Sequence, residues 1–171
     1  MTHPDGTLQE YGKKIIRLDE IGKVIEDLKA EGRIVVSVNG SFDILHPGHV
    51  YFLTEAKRQG DVLVVGLNSD SSVRRNKGDG RPINDQQSRA IMLASLEMVD
   101  YVTIFKDDTP IAFLNKVRPD VHCNGEEYGK DCVEAQTVEK IGARLHLIPR
   151  IGEWSTTSIA EKSTTRKQAS P

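Results

Sequence analysis

Five short runs rich in Val, Ile and Leu, each separated from the next by a helix-length stretch, constrain this chain more than any other feature. The clearest are Ile34–Val38 and Val62–Leu67, which lack the polar alternation of a half-exposed strand. Tyr101–Phe105, Asp120–Cys123 and Arg144–Ile148 follow the same plan. Strands apolar on both faces and alternating with helices form a parallel sheet with helices packed on both sides. The sequence therefore predicts an α/β chain with a doubly wound, five-stranded parallel sheet.

The helices read as follows. Ile21, Val24, Ile25 and Leu28 share one face of a helix over 19–31, with Asp19 placed to cap it. A second helix runs from Gly48 to Gln59 and stops at Gly60. Asn84 with Gln87 resembles a capping box for a helix reaching about Glu97. Thr109 followed by Pro110 opens a helix to about Val117, with Pro110 at its first position. Val133–Ile141 and Ser155–Lys162 complete the set, while 68–81 shows no periodicity and reads as a loop. Residues 1–18 form an N-terminal extension whose start is expected to be poorly ordered. Residues 19–162 form the domain, and 163–171 a polar, flexible tail. A chain of 171 residues accommodates one such domain with a real core, not two.

Charge and cysteine use narrow the function classes. A formal net charge of -2 argues against non-specific nucleic-acid binding, although it leaves room for a local cationic pocket. Cys123 and Cys132 make neither a disulfide framework nor a zinc spacing, and a reduced, cytoplasmic setting fits them. The first residues contain no apolar signal core, and no apolar stretch reaches spanning length, so no membrane insertion is expected.

In doubly wound sheets ligands bind beyond the carboxyl ends of the strands, and the unusual polar residues cluster there. After the first strand come Ser41, Phe42, Asp43, His46, Gly48 and His49. A glycine between two histidines at a helix start lets backbone amides and imidazole N–H groups converge on a phosphate chain. A plain turn with exposed histidines, or a pair of zinc ligands, are the other readings. After the second strand come Asn68 and Asp70, then Arg74, Arg75, Lys77 and Arg81 threaded with glycines. Such a loop suits a mobile clamp on a polyphosphate, or is simply a solvated basic loop. Arg89, one helix on, either joins that pocket or lies on the surface. After the fourth strand, Gly125, Glu126 and Glu127 offer acceptors for a base or ribose, or make an acidic turn. After the fifth come Arg150 and Ser155-Thr156-Thr157. One hydroxyl suffices as a helix cap, so three suggest an anion site.

Gly40-x-Phe42-Asp43-x-x-His46-x-Gly48-His49, followed by Arg150-x-x-Glu153-x-Ser155-Thr156-Thr157, resembles the cytidylyltransferase-like nucleotidyltransferases over about residues 33 to 162. Within that family the chain is most similar to the adenylyltransferases of bacterial heptose synthesis, often fused to a sugar kinase. That likeness rests on Asn39-Gly40-x-Phe42-Asp43-Ile44-Leu45-His46, Asn68-Ser69-Asp70, Lys77-Gly78-Asp79-x-Arg81-Pro82, Leu96-Glu97-x-Val99-Asp100 and Asp108-Thr109-Pro110. It departs at Asn124-Gly125-Glu126-Glu127-Tyr128, where that group carries Lys-Gly-Gly-Asp-Tyr, and at the bulky Trp154.

The resemblance implies a Rossmann-like nucleotidyltransferase fold. The implied activity is transfer of AMP from ATP to D-glycero-D-manno-heptose 1-phosphate, giving ADP-heptose and pyrophosphate in a stand-alone form. It implies Mg2+ carried on the substrate phosphates, with any metal-contacting residue unknown, and a homodimer. By resemblance His46, His49, Lys77 and Arg81 are catalytic. Ser41, Phe42, Asp43, Gly48, Asn68, Asp70, Gly125, Glu126, Glu127, Arg150, Ser155, Thr156 and Thr157 serve the nucleotide. Lys77, Arg81 and Arg89 serve the phosphorylated sugar or polyol. The rival activity is CTP-dependent transfer to glycerol 3-phosphate or another sugar phosphate. A regulatory nucleotide-binding module that has lost catalysis would show decayed motifs, and a synthetase-like RNA binder would carry a basic surface.

Overall fold

All five strands pair in parallel, in the order β3-β2-β1-β4-β5, in the computed structural model, which describes residues 7–152. The strands are β1 (Val35–Gly40), β2 (Val62–Asn68), β3 (Tyr101–Phe105), β4 (Val121–Gly125) and β5 (Arg144–Ile148). The helices are α1 (Thr7–Gly12), α2 (Ile21–Ala30), α3 (Pro47–Lys57), α4 (Asp70–Lys77), α5 (Gln86–Ala94), α6 (Ile111–Val117) and α7 (Ala135–Lys140). This is the doubly wound sheet expected from the apolar runs.

Successive strand side chains point to opposite faces, so the sheet has two cores. Val36, Val38, Leu63, Val65 and Val102 join Leu53 of α3 with Ala90 and Leu93 of α5 on one face. Val35, Val62, Val64 and Phe105 meet Ile21 and Ile25 of α2, Phe113 and Leu114 of α6, and Val138 of α7 on the other. Ser37 and His122 are register partners at the middle of this second face, polar exceptions within apolar strands. Residues before α2 also join the sheet: Ile15 bridges to Val102, and Tyr11 and Ile15 pack on the first core.

Several local expectations change. Residues 70–77 are helical rather than a loop, because Ser69 Oγ accepts the Ser72 amide and caps a turn that Gly78 ends. Asp19 does not cap α2. It pairs with Arg17 instead, and the helix starts two residues later. Asp85, not Asn84, caps α5 by accepting from the Gln87 and Ser88 amides, and that helix ends at Ala94. Pro110 is the residue before α6 rather than its first, and Thr109 lends no cap. The helix read at 155–162 lies outside the described residues.

Candidate active site

The chain leaves β1 toward β2 on one side and later returns to β4 on the other. The carboxyl ends of β1 and β4 therefore diverge at the switch point of the sheet, where a crevice must open. A cavity of about 340 Å³ fills that crevice. Asn39 and Gly40 of β1, His46, Gly48 and His49 around the start of α3, Lys77 of α4, Asn124 and Gly125 of β4, and Arg150 line it.

The histidine turn is built from the backbone outward. His46 is extended and precedes Pro47, whose fixed φ suits the first helical position. Its Nδ1 accepts the His49 amide at 3.3 Å, so His46 is the cap of α3. In the neutral ring this leaves the proton on Nε2. The two imidazoles stack with centroids 3.7 Å apart, and Phe42 lies 5.2 Å from His49 as a wall. Phe42 itself adopts a left-handed φ of 42, uncommon for a bulky residue. Its ring lies against Gly40, where an added Cβ would sit 3.0 Å from Phe42 Cε2. A side chain at position 40 would therefore displace the wall.

Both rings are shifted toward the neutral form. Burial pushes the His49 pKa down to about 4, reinforced by the neighbouring His46 and by Lys77. Burial and then Arg150 lower that of His46. Neutral imidazoles act as N–H donors at a helix N-terminus, where the dipole favours an anion. Lys77 donates to Ser41 Oγ at 2.8 Å. Its pKa is lowered chiefly by burial, with Arg81 and Arg89 adding to this against the opposing pull of Asp43.

The remaining expected residues divide by what they touch. Ser41, Phe42, Gly48, Gly125, Glu127 and Arg150 line the cavity with the histidines and Lys77. Asn68 lines a second, contiguous cavity and donates to Ser72 Oγ. Glu126 is exposed and opens a single 3-10 turn over 126–128. Asp43 is buried and accepts from Arg81 and from the amides of Ile83 and Asn84. Burial alone would raise its pKa, but these donors hold it below the ordinary value. It anchors the 81–84 segment, and Arg81 is engaged there at 2.8 Å rather than reaching freely from a loop.

Arg89 departs most from its expected role. Its side chain is 0% exposed, and its guanidinium donates to the carbonyls of Asn84, Ser41 and Asn68 and to Asp70. It ties the ends of β1 and β2 to α4 and α5, and Asp70 serves as its counter-ion. Neither Arg89 nor Asp70 lines the described cavities. Ser155, Thr156 and Thr157 lie outside the described residues.

Sequence reasoning missed a buried polar line behind the crevice. Ser37 Oγ lies 2.8 Å from His122 Nδ1, and His122 Nε2 lies 3.7 Å from Glu134. Glu134 in turn accepts from Asn124. The available signal was a polar residue interrupting each of two adjacent strands, Ser37 and His122.

Among the described residues no group of three or more His, Cys, Asp or Glu side chains is disposed to hold a metal ion. Nor is any described helix long and apolar enough to cross a membrane. Both cysteines are free, and burial pushes the Cys123 thiol up to about 12, so it is inert.

Known proteins resemble this chain over most of its length. Proteins named bifunctional protein HldE are 49% identical over 145 residues in Nitratiruptor sp. and 44% identical over 154 residues in Syntrophotalea carbinolica. These matches cover 84% and 90% of this chain but only 30% and 31% of those proteins, so the chain spans about a third of their length. A lipopolysaccharide core biosynthesis protein from Thermoplasma volcanium has a solved structure that is 35% identical, with a TM-score of 0.57. That match covers 72% of this chain and 100% of the other. Pantoate-beta-alanine ligase from Francisella tularensis, solved with beta-gamma ATP and beta-alanine, shares the fold with a TM-score of 0.63 at 16% identity. It covers 90% of this chain and 77% of that one. Residues 37–167 match the cytidylyltransferase-like family, and the stacked histidines, the lysine and the switch-point crevice fall within that span: the chain belongs to the cytidylyltransferase-like family and is a nucleotidyltransferase.

Proposed function

We propose that the chain transfers AMP from ATP to D-glycero-D-manno-heptose 1-phosphate, releasing pyrophosphate and giving ADP-heptose. The observation that carries this reading is the convergence of two neutral imidazoles, Lys77 and Arg150 on one crevice at the switch point. The choice of adenylyl and heptose rests on the motif resemblance and on the HldE-named relatives. The Thermoplasma protein, named for lipopolysaccharide core biosynthesis, supports it further.

A phosphate oxygen of the acceptor attacks the α-phosphorus of ATP in line, and the bond to the β-phosphate bridge breaks. Phosphomonoesters carry their second negative charge near neutral pH, since that pKa is about 6, so no general base is required. The obstacle is the approach of two anions. His46 and His49 donate N–H groups toward the nucleotide phosphates, the His46 proton being fixed on Nε2 by the bond at Nδ1. Lys77, next to Ser41 at the mouth, neutralises charge between acceptor and triphosphate. Arg150 and the Ser155-Thr156-Thr157 hydroxyls hold the departing pyrophosphate. Positioning and preorganised charge supply the rate.

Mg2+ would be carried on the substrate phosphates as MgATP and would neutralise part of their charge; the Asp43 carboxylate is occupied by Arg81 and two amides. The active form is a homodimer, which light scattering measures directly.

The test is pyrophosphate release with ATP and CTP in parallel, each offered D-glycero-D-manno-heptose 1-phosphate and glycerol 3-phosphate. ATP with the heptose phosphate should be fastest. Preference for CTP and glycerol 3-phosphate would replace this reading with the cytidylyl one.

A further inference from the structure

The second cavity, about 500 Å³, adjoins the first through Asn39, Gly40, Ser41, Lys77, Asn124 and Tyr128. Beyond that shared rim its lining changes character: Asn68 and Asn76 face it from the β2–α4 side, Asp108 from the turn before α6, and Glu134 from the segment before α7. No histidine lines it, and Lys77 at the rim is its only cation among the described residues. Amide and carboxylate side chains against an apolar wall of Val73, Pro110 and Val133 form a surface suited to hydroxyl groups, which both donate and accept.

Glu134 is the unusual member. It is only 4% exposed, and carboxylates are almost never so deeply buried without a purpose or a partner. Its partners fix it without exhausting it. Oε1 accepts the Asn124 amide at 2.6 Å, and Asn124 Oδ1 accepts the Gly125 backbone amide in turn. The fully buried His122 ring stands behind at 3.7 Å and is itself held by Ser37. Burial would push the Glu134 carboxyl up, but the His122 ring, backbone groups and the Cys132 thiol outweigh it and keep its pKa low. A carboxylate has about four lone-pair sites, so acceptor capacity is left for a ligand.

We infer that this second cavity is the polyol subsite of the acceptor, in which Glu134, braced by His122, accepts hydrogen bonds from acceptor hydroxyls while Lys77 holds the acceptor phosphate at the rim. The inference rests on the reading of the chain as a nucleotidyltransferase for a phosphorylated polyol. It adds which residues read the acceptor's hydroxyls. Asn76, on the exposed side of α4, contributes a second amide, and Asn124 of β4 lines both cavities. A site built to bond a substrate hydroxyl rejects analogues lacking it strongly, because its buried polar groups are then unpaired.

The experiment measures KM for ATP and for D-glycero-D-manno-heptose 1-phosphate in wild type, Glu134→Gln and Asn76→Ala. Circular dichroism and melting temperature serve as fold controls. Glu134→Gln should raise the KM of the heptose phosphate at least tenfold and leave the KM of ATP within twofold. Asn76→Ala should do the same to a smaller degree. Unchanged acceptor KM, or equal rises for acceptor and ATP, would overturn the subsite and leave Glu134 a structural brace. If Glu134→Gln does not fold, Asn76→Ala decides alone, since its side chain is at the surface. If wild type ignores the heptose phosphate but uses glycerol 3-phosphate, the proposed activity fails. The same split in KM on glycerol 3-phosphate would then still uphold the subsite, and its absence would sink both.

Discussion

At the residue scale the proposed mechanism relies on neutral imidazole donors beside a single lysine ammonium at the rim among the described residues. A protonated His49 would face the Lys77 cation, and burial already favours its neutral ring. Such a donor costs nothing to reorganise when the α-phosphate gains charge, and removing one preorganised donor typically lowers kcat about 10²–10³-fold. His49→Ala should therefore lose most pyrophosphate release while its circular dichroism stays that of the wild type. Turnover near wild type would remove His49 from the mechanism. Lys77→Ala should lower the rate comparably, because only this ammonium stands at the rim shared by both cavities among the described residues. Lys77→Arg should restore little, since a planar fork replaces a compact charge held against Ser41. An unchanged rate in Lys77→Ala would place the clamp elsewhere.

At the scale of elements, helix α5 carries the structural consequence. Arg89 on α5 binds three carbonyls and Asp70, so one side chain fixes the ends of β1 and β2, the start of α4 and the loop before α5. Breaking a buried charge pair by removing one partner costs about 3–5 kcal/mol. Arg89→Met should destabilise the fold by that amount in urea denaturation, and a loss under about 1 kcal/mol would show that the network is dispensable. This element also marks the limit of sequence reading. β3 and β5 were legible to the residue, because both are five-residue segments of strand-forming and alternating character, bounded by Asp100 and Lys106 in one case and by Gly142 and Pro149 in the other. The histidine turn was legible because its glycine and proline fix a helix start. Helix α4 was not, since its apolar contact is reduced to Val73 and its other residues are polar or charged, while Ser69 alone signals the cap. Arg89 was not legible either: a basic residue on a predicted helix reads as surface or ligand-facing, and only the tertiary arrangement brings three carbonyls and a carboxylate around it. Asp19, Asn84 and Thr109 are good capping residues that lost to neighbours, a choice of one or two positions that propensity does not resolve.

At the scale of the whole molecule, the functional crevice and the fold draw on the same interior. The imidazole of His49 sits next to Phe42, a member of the first core, so its ionisation is felt by the cooperative unit as a whole. In the unfolded chain a histidine titrates near 6.5, and in the folded chain His49 does so at about 4. Between those values the unfolded chain binds more protons, so stability rises with pH there and is lost as pH falls from about 6.5 toward about 4. His46 and His146 shift in the same direction, whereas Asp43 and Glu134, with lowered carboxylate pKa values, begin to act as the pH falls toward the ordinary carboxylate range. Above about pH 5 the histidines therefore dominate, and below it the comparison with His49→Gln separates them from the carboxylates. A displacement of the size seen at His49 corresponds to about 3 kcal/mol, or about 2 kcal/mol once its partial exposure is allowed for. Melting temperature followed from pH 7 to pH 4.5 should fall in wild type, and the fall should be visibly shallower in His49→Gln, which cannot acquire the charge. Parallel curves for the two proteins would mean that His49 is not held neutral by the fold. MgATP should oppose the loss in wild type, because a ligand bound only to the folded chain adds about 2.7 kcal/mol at a hundred times its Kd and its phosphates favour the protonated ring. The protection by MgATP should therefore grow as the pH is lowered through 6 in wild type more than in His49→Gln, a comparison that tests the neutral donor and its phosphate partner in one titration.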